Sequence, residues 1–96
     1  MDHSGPVANS LREKLAAAFA PEALVVEDES SRHSGHSGAR EGGESHFRVR
    51  IVSAAFRGLT RVERQRRVYA VLAAEIDAGL HALALTTLTP EEAKRN

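Results

Sequence analysis

Apolar residues recur near the start of the chain at Val7, Leu11, Leu15, Ala18 and Phe19. Those steps of four, four, three and one place one stripe on a helix. Pro6 suits a first helical turn and Pro21 ends the pattern, so the spacing predicts a helix over residues 6–19. Ala23 to Asp28, with Leu24, Val25 and Val26, reads as a strand. Residues 30–45 then change character: nine of the sixteen are Gly or Ser, and Ala39 is the one apolar side chain. Such a stretch can bury almost nothing and is expected to be a loop. A loop this long in a small domain is usually functional or disordered.

Alternation returns at His46 to Ser53, where Phe47, Val49 and Ile51 interleave with Arg48 and Arg50. That period of two predicts a strand with one buried and one solvated face, paired with the first as a hairpin. Ala54 to Thr60 reads as a turn or short helix carrying Phe56 and Gly58. Thr60 can cap the next helix, with Glu63 completing a capping box. Val62, Gln65, Tyr69, Leu72 and Ile76 share one face, which predicts a single helix to about Ala78 with Gly79 as its left-handed terminator. His81 to Thr87 reads as a last strand. Thr89 and Pro90 suit the cap and first position of a short terminal helix. A crossover of this kind favours a parallel partner. The expected fold is α+β, in αββ(α)αβ order, with a three-stranded mixed sheet and helices packed on one face. Residues 6–92 form the expected domain, with 1–5 disordered and 93–96 flexible.

The chain has 96 residues, 13 basic and 13 acidic side chains, five His and no Cys. Without Cys there is no disulfide framework, thiolate nucleophile or Cys-ligated zinc. No run approaches the roughly 20 apolar residues of a membrane span. The opening residues lack the basic and apolar regions of a signal peptide, so a soluble cytoplasmic domain is expected. The zero net charge is uneven: −4 over residues 1–45, +6 over 46–67 and −2 over 68–96.

Two groups of residues could carry chemistry. His33 and His36 lie in the Gly/Ser loop, His46 at its end, and His81 opens the last strand. Each reads either as a solvated or backbone-bonded histidine or as a metal ligand. Two or three imidazoles make only part of a coordination shell, so a set completed by another protein is a further reading. Arg57, Arg61, Arg64 and Arg67 recur at steps of four, three and three, joined by Arg66. Such a stripe can meet phosphates, an acidic protein surface, or solvent alone. Catalysis has little support: there is no nucleophile elbow, phosphate loop or dinucleotide fingerprint, and the acidic run Glu27-Asp28-Glu29 has no apolar pocket to tune it.

Five stretches in register resemble the BolA family. They are Val26-Glu27-Asp28-Glu29-Ser30-Ser31-Arg32-His33, Gly43-Glu44-Ser45-His46-Phe47-Arg48-Val49, Phe56-Arg57-Gly58-Leu59 with the Arg-rich segment to Tyr69, His81-Ala82-Leu83-Ala84-Leu85, and Thr89-Pro90-Glu91-Glu92. The resemblance spans about Val7 to Glu92. It implies a fold similar to the class II KH domain and no catalytic activity. It also implies partnership with a monothiol glutaredoxin, with a 2Fe–2S cluster bridged between the two proteins. The glutaredoxin cysteine and glutathione would supply thiolates. This chain would supply His81 and a loop ligand, His33 by position, with His36 next and His46 third. Alone, the chain would be a monomer or weak homodimer away from membranes. The same family resemblance implies a second role, DNA-binding regulation of stress response and cell morphology, using Arg57, Arg61, Arg64, Arg66 and Arg67. Two features depart from the pattern. Gln65 stands where the helix usually has a histidine, and the loop duplicates His-Ser-Gly at 33–35 and 36–38. A KH-type G-x-x-G clamp is absent, the candidate turn reading Gly58-Leu59-Thr60-Arg61.

Overall fold

The structure, a computed structural model, describes residues 5–29, 46–80 and 82–95. The loop 30–45 with His33 and His36, the terminal His3, and His81 lie outside the described residues. Helix α1 spans Pro6–Phe19, with Pro6 in its first turn and Ala20 in the left-handed region at φ 44°. The Ala20 N–H donates to the Ala16 carbonyl at 3.0 Å, closing the helix just ahead of Pro21. Its buried stripe is Ala8, Leu11, Leu15 and Phe19, while Ala18, expected on that stripe, is exposed. Ala8 takes its place because it lies with Leu11 and Leu15 at steps of three and four.

Strand β1 (Ala23–Asp28) pairs antiparallel with β2 (His46–Val52), and β2 pairs parallel with β3 (Ala82–Leu88). The sheet order is β1-β2-β3, so the mixed three-stranded sheet is as expected. Phe47, Val49 and Ile51 of β2 are buried, forming one core with the α1 stripe and with Phe56, Val68, Leu72 and Leu80. Arg48 is exposed and Arg50 half-buried. Strand β2 stops at Val52 because Ser53, 1% exposed, turns to other work. Its hydroxyl donates to the Phe19 carbonyl at 2.6 Å and accepts from the Ala55 N–H at 3.0 Å. One side chain thereby ties the end of α1 to the 3-10 turn Ala54–Phe56. The Phe56 ring then packs on Phe19, with centroids 5.1 Å apart. Gly58 has φ 78°, and an added Cβ would meet nothing within 4 Å, so the requirement there is backbone conformation rather than space.

Helix α2 (Arg61–Val71) starts at the expected capping box. Thr60 Oγ1 accepts from the Glu63 N–H at 3.1 Å, and Glu63 Oε1 accepts from the Thr60 N–H at 2.8 Å. The expected single helix is two: Leu72, at φ −100° and ψ 15°, separates α2 from α3 (Ala73–Asp77). Hydrogen bonds still cross the break, from Leu72 to Val68 and from Ile76 to Leu72, both 3.0 Å. Gly79 has the expected positive φ. Its N–H donates to the Ile76 carbonyl and that of Leu80 to the Glu75 carbonyl, the two bonds of a Schellman closure.

The buried face of α2 also differs from the expected one. Arg64, Val68 and Leu72 face the core, whereas Val62 and Tyr69 are 56% and 41% exposed. Helix α4 (Pro90–Arg95) carries through 93–95, residues expected to be flexible. No described helix is long and apolar enough to cross a membrane.

Candidate functional site

The sheet has two ends: His46 begins β2 at one, and Arg57, Arg61 and Arg64 lie near the other, where β3 finishes. At the first end, β1 runs out as β2 begins. Asp28 pairs with Phe47, and the Glu29 N–H donates to the His46 carbonyl at 2.8 Å. His46 is also the first rung of the parallel ladder, opposite Ala82. Both described stems of the 30–45 loop and the start of β3 therefore meet here. His46, half-buried, is the predicted ligand that the structure describes. His33 and His36 belong to the loop joining those stems, and His81 directly precedes Ala82 in the chain. Among the described residues no three His, Cys, Asp or Glu come together as a metal site. The described imidazole at this end is that of His46, on a sheet terminus, and the other three predicted histidines lie outside the described residues.

Charge here is mixed. Arg48 Nε lies 2.9 Å from Glu29 Oε2. The hydrogen bond to Glu29, then its charge, raises the Arg48 pKa above the ordinary guanidinium value. Arg48 is thus engaged by the acidic stem of the loop.

At the opposite end, β3 finishes against α2 and α4. Arg64 sits at the centre, 6% exposed. Its Nε donates to the Leu59 carbonyl at 3.0 Å, and Nη1 donates to the Thr87 carbonyl at 3.1 Å. Nη1 and Nη2 also meet Glu92 Oε1 and Oε2, at 2.7 and 3.3 Å. The guanidinium carbon lies 5.9 Å from the Phe56 ring centre. Glu92 closes a second capping box with Thr89: the Thr89 N–H donates to Oε1 at 2.8 Å, and Thr89 Oγ1 accepts from the Glu92 N–H at 3.1 Å. Arg64 first, then the Thr89 N–H, hold the Glu92 carboxyl down to about 2.

This geometry corrects the predicted arginine stripe. Arg64 is not available to DNA or to a partner, because its donors are used inside the fold. Arg57 is paired with Glu91 through Nε and Nη2. That hydrogen bonding lowers the Glu91 pKa and raises that of Arg57. Arg61, Arg66 and Arg67 are exposed. Two residues at this end went unpredicted. Leu88 and Arg95 line a shallow cavity of about 240 Å³ together with Arg61 and Glu92. The Thr89 and Glu92 spacing, the same as Thr60 and Glu63, was the available signal that α4 folds back here.

A family model described as BolA-like protein matches residues 15–92. The chain belongs to the BolA-like family. This BolA-like chain is 51% identical to an uncharacterized Sinorhizobium protein from the cobS 5′ region, over 90% of this chain and 94% of that one. It is 43% identical to the DNA-binding transcriptional regulator BolA of Haemophilus influenzae, over 88% of this chain and 78% of the relative. The solved BolA domain of SufE1 from Arabidopsis thaliana matches with a TM-score of 0.82 and 44% identity, covering 93% of this chain and 98% of that domain. Some relatives are longer. The chain spans 54% of the chloroplast BOLA1 protein and 23% of SufE-like protein 1, both from Arabidopsis thaliana. BolA-like relatives thus carry both BolA1-type and DNA-binding names.

Proposed function

We propose that this chain is a non-catalytic adaptor in iron and iron–sulfur homeostasis. It binds a monothiol glutaredoxin and contributes imidazoles to a 2Fe–2S cluster shared between the two proteins. The observation that carries this reading is the meeting of Glu29, His46 and Ala82 at one sheet end. That meeting brings together the chain segments that lead into His33, His36 and His81. A chain without Cys leaves the sulfur ligands to the partner and its glutathione. When bound, the cluster supplies one-electron chemistry, and imidazole ligation on one iron raises its potential relative to all-thiolate ligation. The chain's own task is to offer neutral imidazoles, so association weakens as pH falls through their titration.

The test mixes the chain with a monothiol glutaredoxin carrying reconstituted cluster and follows visible circular dichroism. His81→Ala is expected to abolish the spectrum of the mixed complex, and His33→Ala or His36→Ala to alter it. An unchanged spectrum and complex with His81→Ala would overturn the reading.

The Haemophilus relative's name favours a second reading, DNA-binding regulation through exposed Arg61, Arg66 and Arg67. It requires footprints on particular promoters at physiological salt. Binding indifferent to sequence and lost in moderate salt would reduce it to phosphate attraction.

A further inference from the structure

Four guanidinium groups gather where β3 ends: Arg57, Arg61, Arg64 and Arg95. Two carboxylates answer them. Glu91 is taken by Arg57, and Glu92 by Arg64. Both oxygens of Glu92 already accept hydrogen bonds, Oε1 from Arg64 and the Thr89 N–H, Oε2 from Arg64. The guanidinium groups of Arg61 and Arg95 have no hydrogen bond or ion pair with any described residue, and the two of them line the shallow cavity beside Leu88 and Glu92. This corner thus holds two guanidiniums without an ion-pair partner among the described residues, beside an open concavity. The buried Arg64 fixes the Glu92 wall and the start of α4, so the cavity is built on an anchored frame.

We propose that this cavity binds a terminal phosphate group as its dianion, held between Arg61 and Arg95. Guanidinium forks match phosphate oxygens two at a time. Two unmatched cations fit a phosphate dianion better than a single carboxylate. Leu88 gives the remainder of a phosphate ester an apolar wall. The Glu92 carboxylate does not close the site to anions, because its charge is already offset by Arg64. The site lies at the opposite end of the sheet from His46, and it does not depend on the cluster reading.

Terminal phosphates and nucleic-acid backbone phosphates share this chemistry, so the experiment separates them. The full chain, labelled with ¹⁵N, is titrated with inorganic pyrophosphate and with a mononucleoside 5′-monophosphate at about 0.15 M salt. Saturable shifts confined to the amides around Arg61 and from Leu88 to Arg95 are expected. The paired substitution Arg61→Ala with Arg95→Ala should weaken binding about tenfold or more, and the pair Arg66→Ala with Arg67→Ala, which removes the same charge from exposed positions of α2, should leave it unchanged. Non-saturable shifts, or equal weakening by the Arg66→Ala, Arg67→Ala pair, would overturn the site in favour of a diffuse positive field. A duplex lacking terminal phosphates that competes as well as pyrophosphate would overturn the assignment to terminal phosphate. Retained amide dispersion in each variant shows that the fold is intact.

Discussion

At the Val52–Leu88 end of the sheet, buried side chains from distant segments tie the structure together, whereas at the His46–Ala82 end the ties among the described residues include a backbone hydrogen bond and an exposed ion pair. Arg64 joins the turn before α2, the end of β3 and α4 through carbonyls and a carboxylate. Ser53 performs the same service for α1 and the 3-10 turn. The histidine end has the Glu29–His46 backbone bond and the exposed Arg48–Glu29 pair. A region expected to offer ligands to another protein needs freedom to rearrange, and such regions come from the less stable parts of a fold. The arginine end, by contrast, behaves as a structural rivet with charge left over at its rim.

Four tests probe that contrast. The largest effect is expected from Arg64→Ala, which strands the Leu59 and Thr87 carbonyls and empties a buried position. It should cost about 3 kcal/mol in urea unfolding. A loss no larger than that of His46→Ala would erase the distinction between the two ends. Next come the capping boxes: Thr60→Ala and Thr89→Ala should each cost about 1 kcal/mol. If Thr89→Ala has no effect while Thr60→Ala does, α4 is not part of the rivet.

Glu92→Gln sharpens the picture through pH. The folded-state pKa of Glu92 is depressed to about 2 from 4.5, so its stabilising contribution is full above pH 4.5 and is lost as pH falls towards 2. Glu92→Gln should therefore be less stable than the parent at pH 7. The difference should shrink as acid unfolding is followed down that range. A difference constant in pH would mean that the carboxylate charge is not what holds α4. The smallest effect belongs to Arg48→Ala, whose ion pair is exposed to solvent and screened. No measurable change in melting temperature is expected, and a clear drop would show that the histidine end also relies on side chains.

Element order, sheet pairing and both capping threonines were legible because each rests on local spacing. Periods of two and of about 3.6, a Thr-x-x-Glu box and a terminal glycine need no distant information. Helix α2 was misread because its hydropathy is inverted at key positions. Val62 and Tyr69 are apolar yet exposed, and Arg64 is charged yet buried. Only the tertiary partners of Arg64 explain its burial, and they lie on β3 and α4. The break at Leu72 has no proline or glycine to announce it. For the site, the sequence listed candidate histidines and arginines but could not say which guanidiniums were already engaged within the fold. That answer depends on α4 folding back across the sheet end, which also brings Arg95 beside Arg61.

The parallel pairing of β2 with β3 has a consequence for how the molecule comes into being. Every rung of that ladder waits for a segment separated from β2 by the 3-10 turn, α2 and α3. During synthesis, α1 and the β1–β2 hairpin emerge first. The far edge of β2 then stands unpaired until Ala82–Leu88 arrives. Non-local closure of this kind is slow and leaves a nascent chain open to edge-to-edge association. The alternating Arg48 and Arg50 are spaced along that strand, where charge discourages a second chain from pairing too soon.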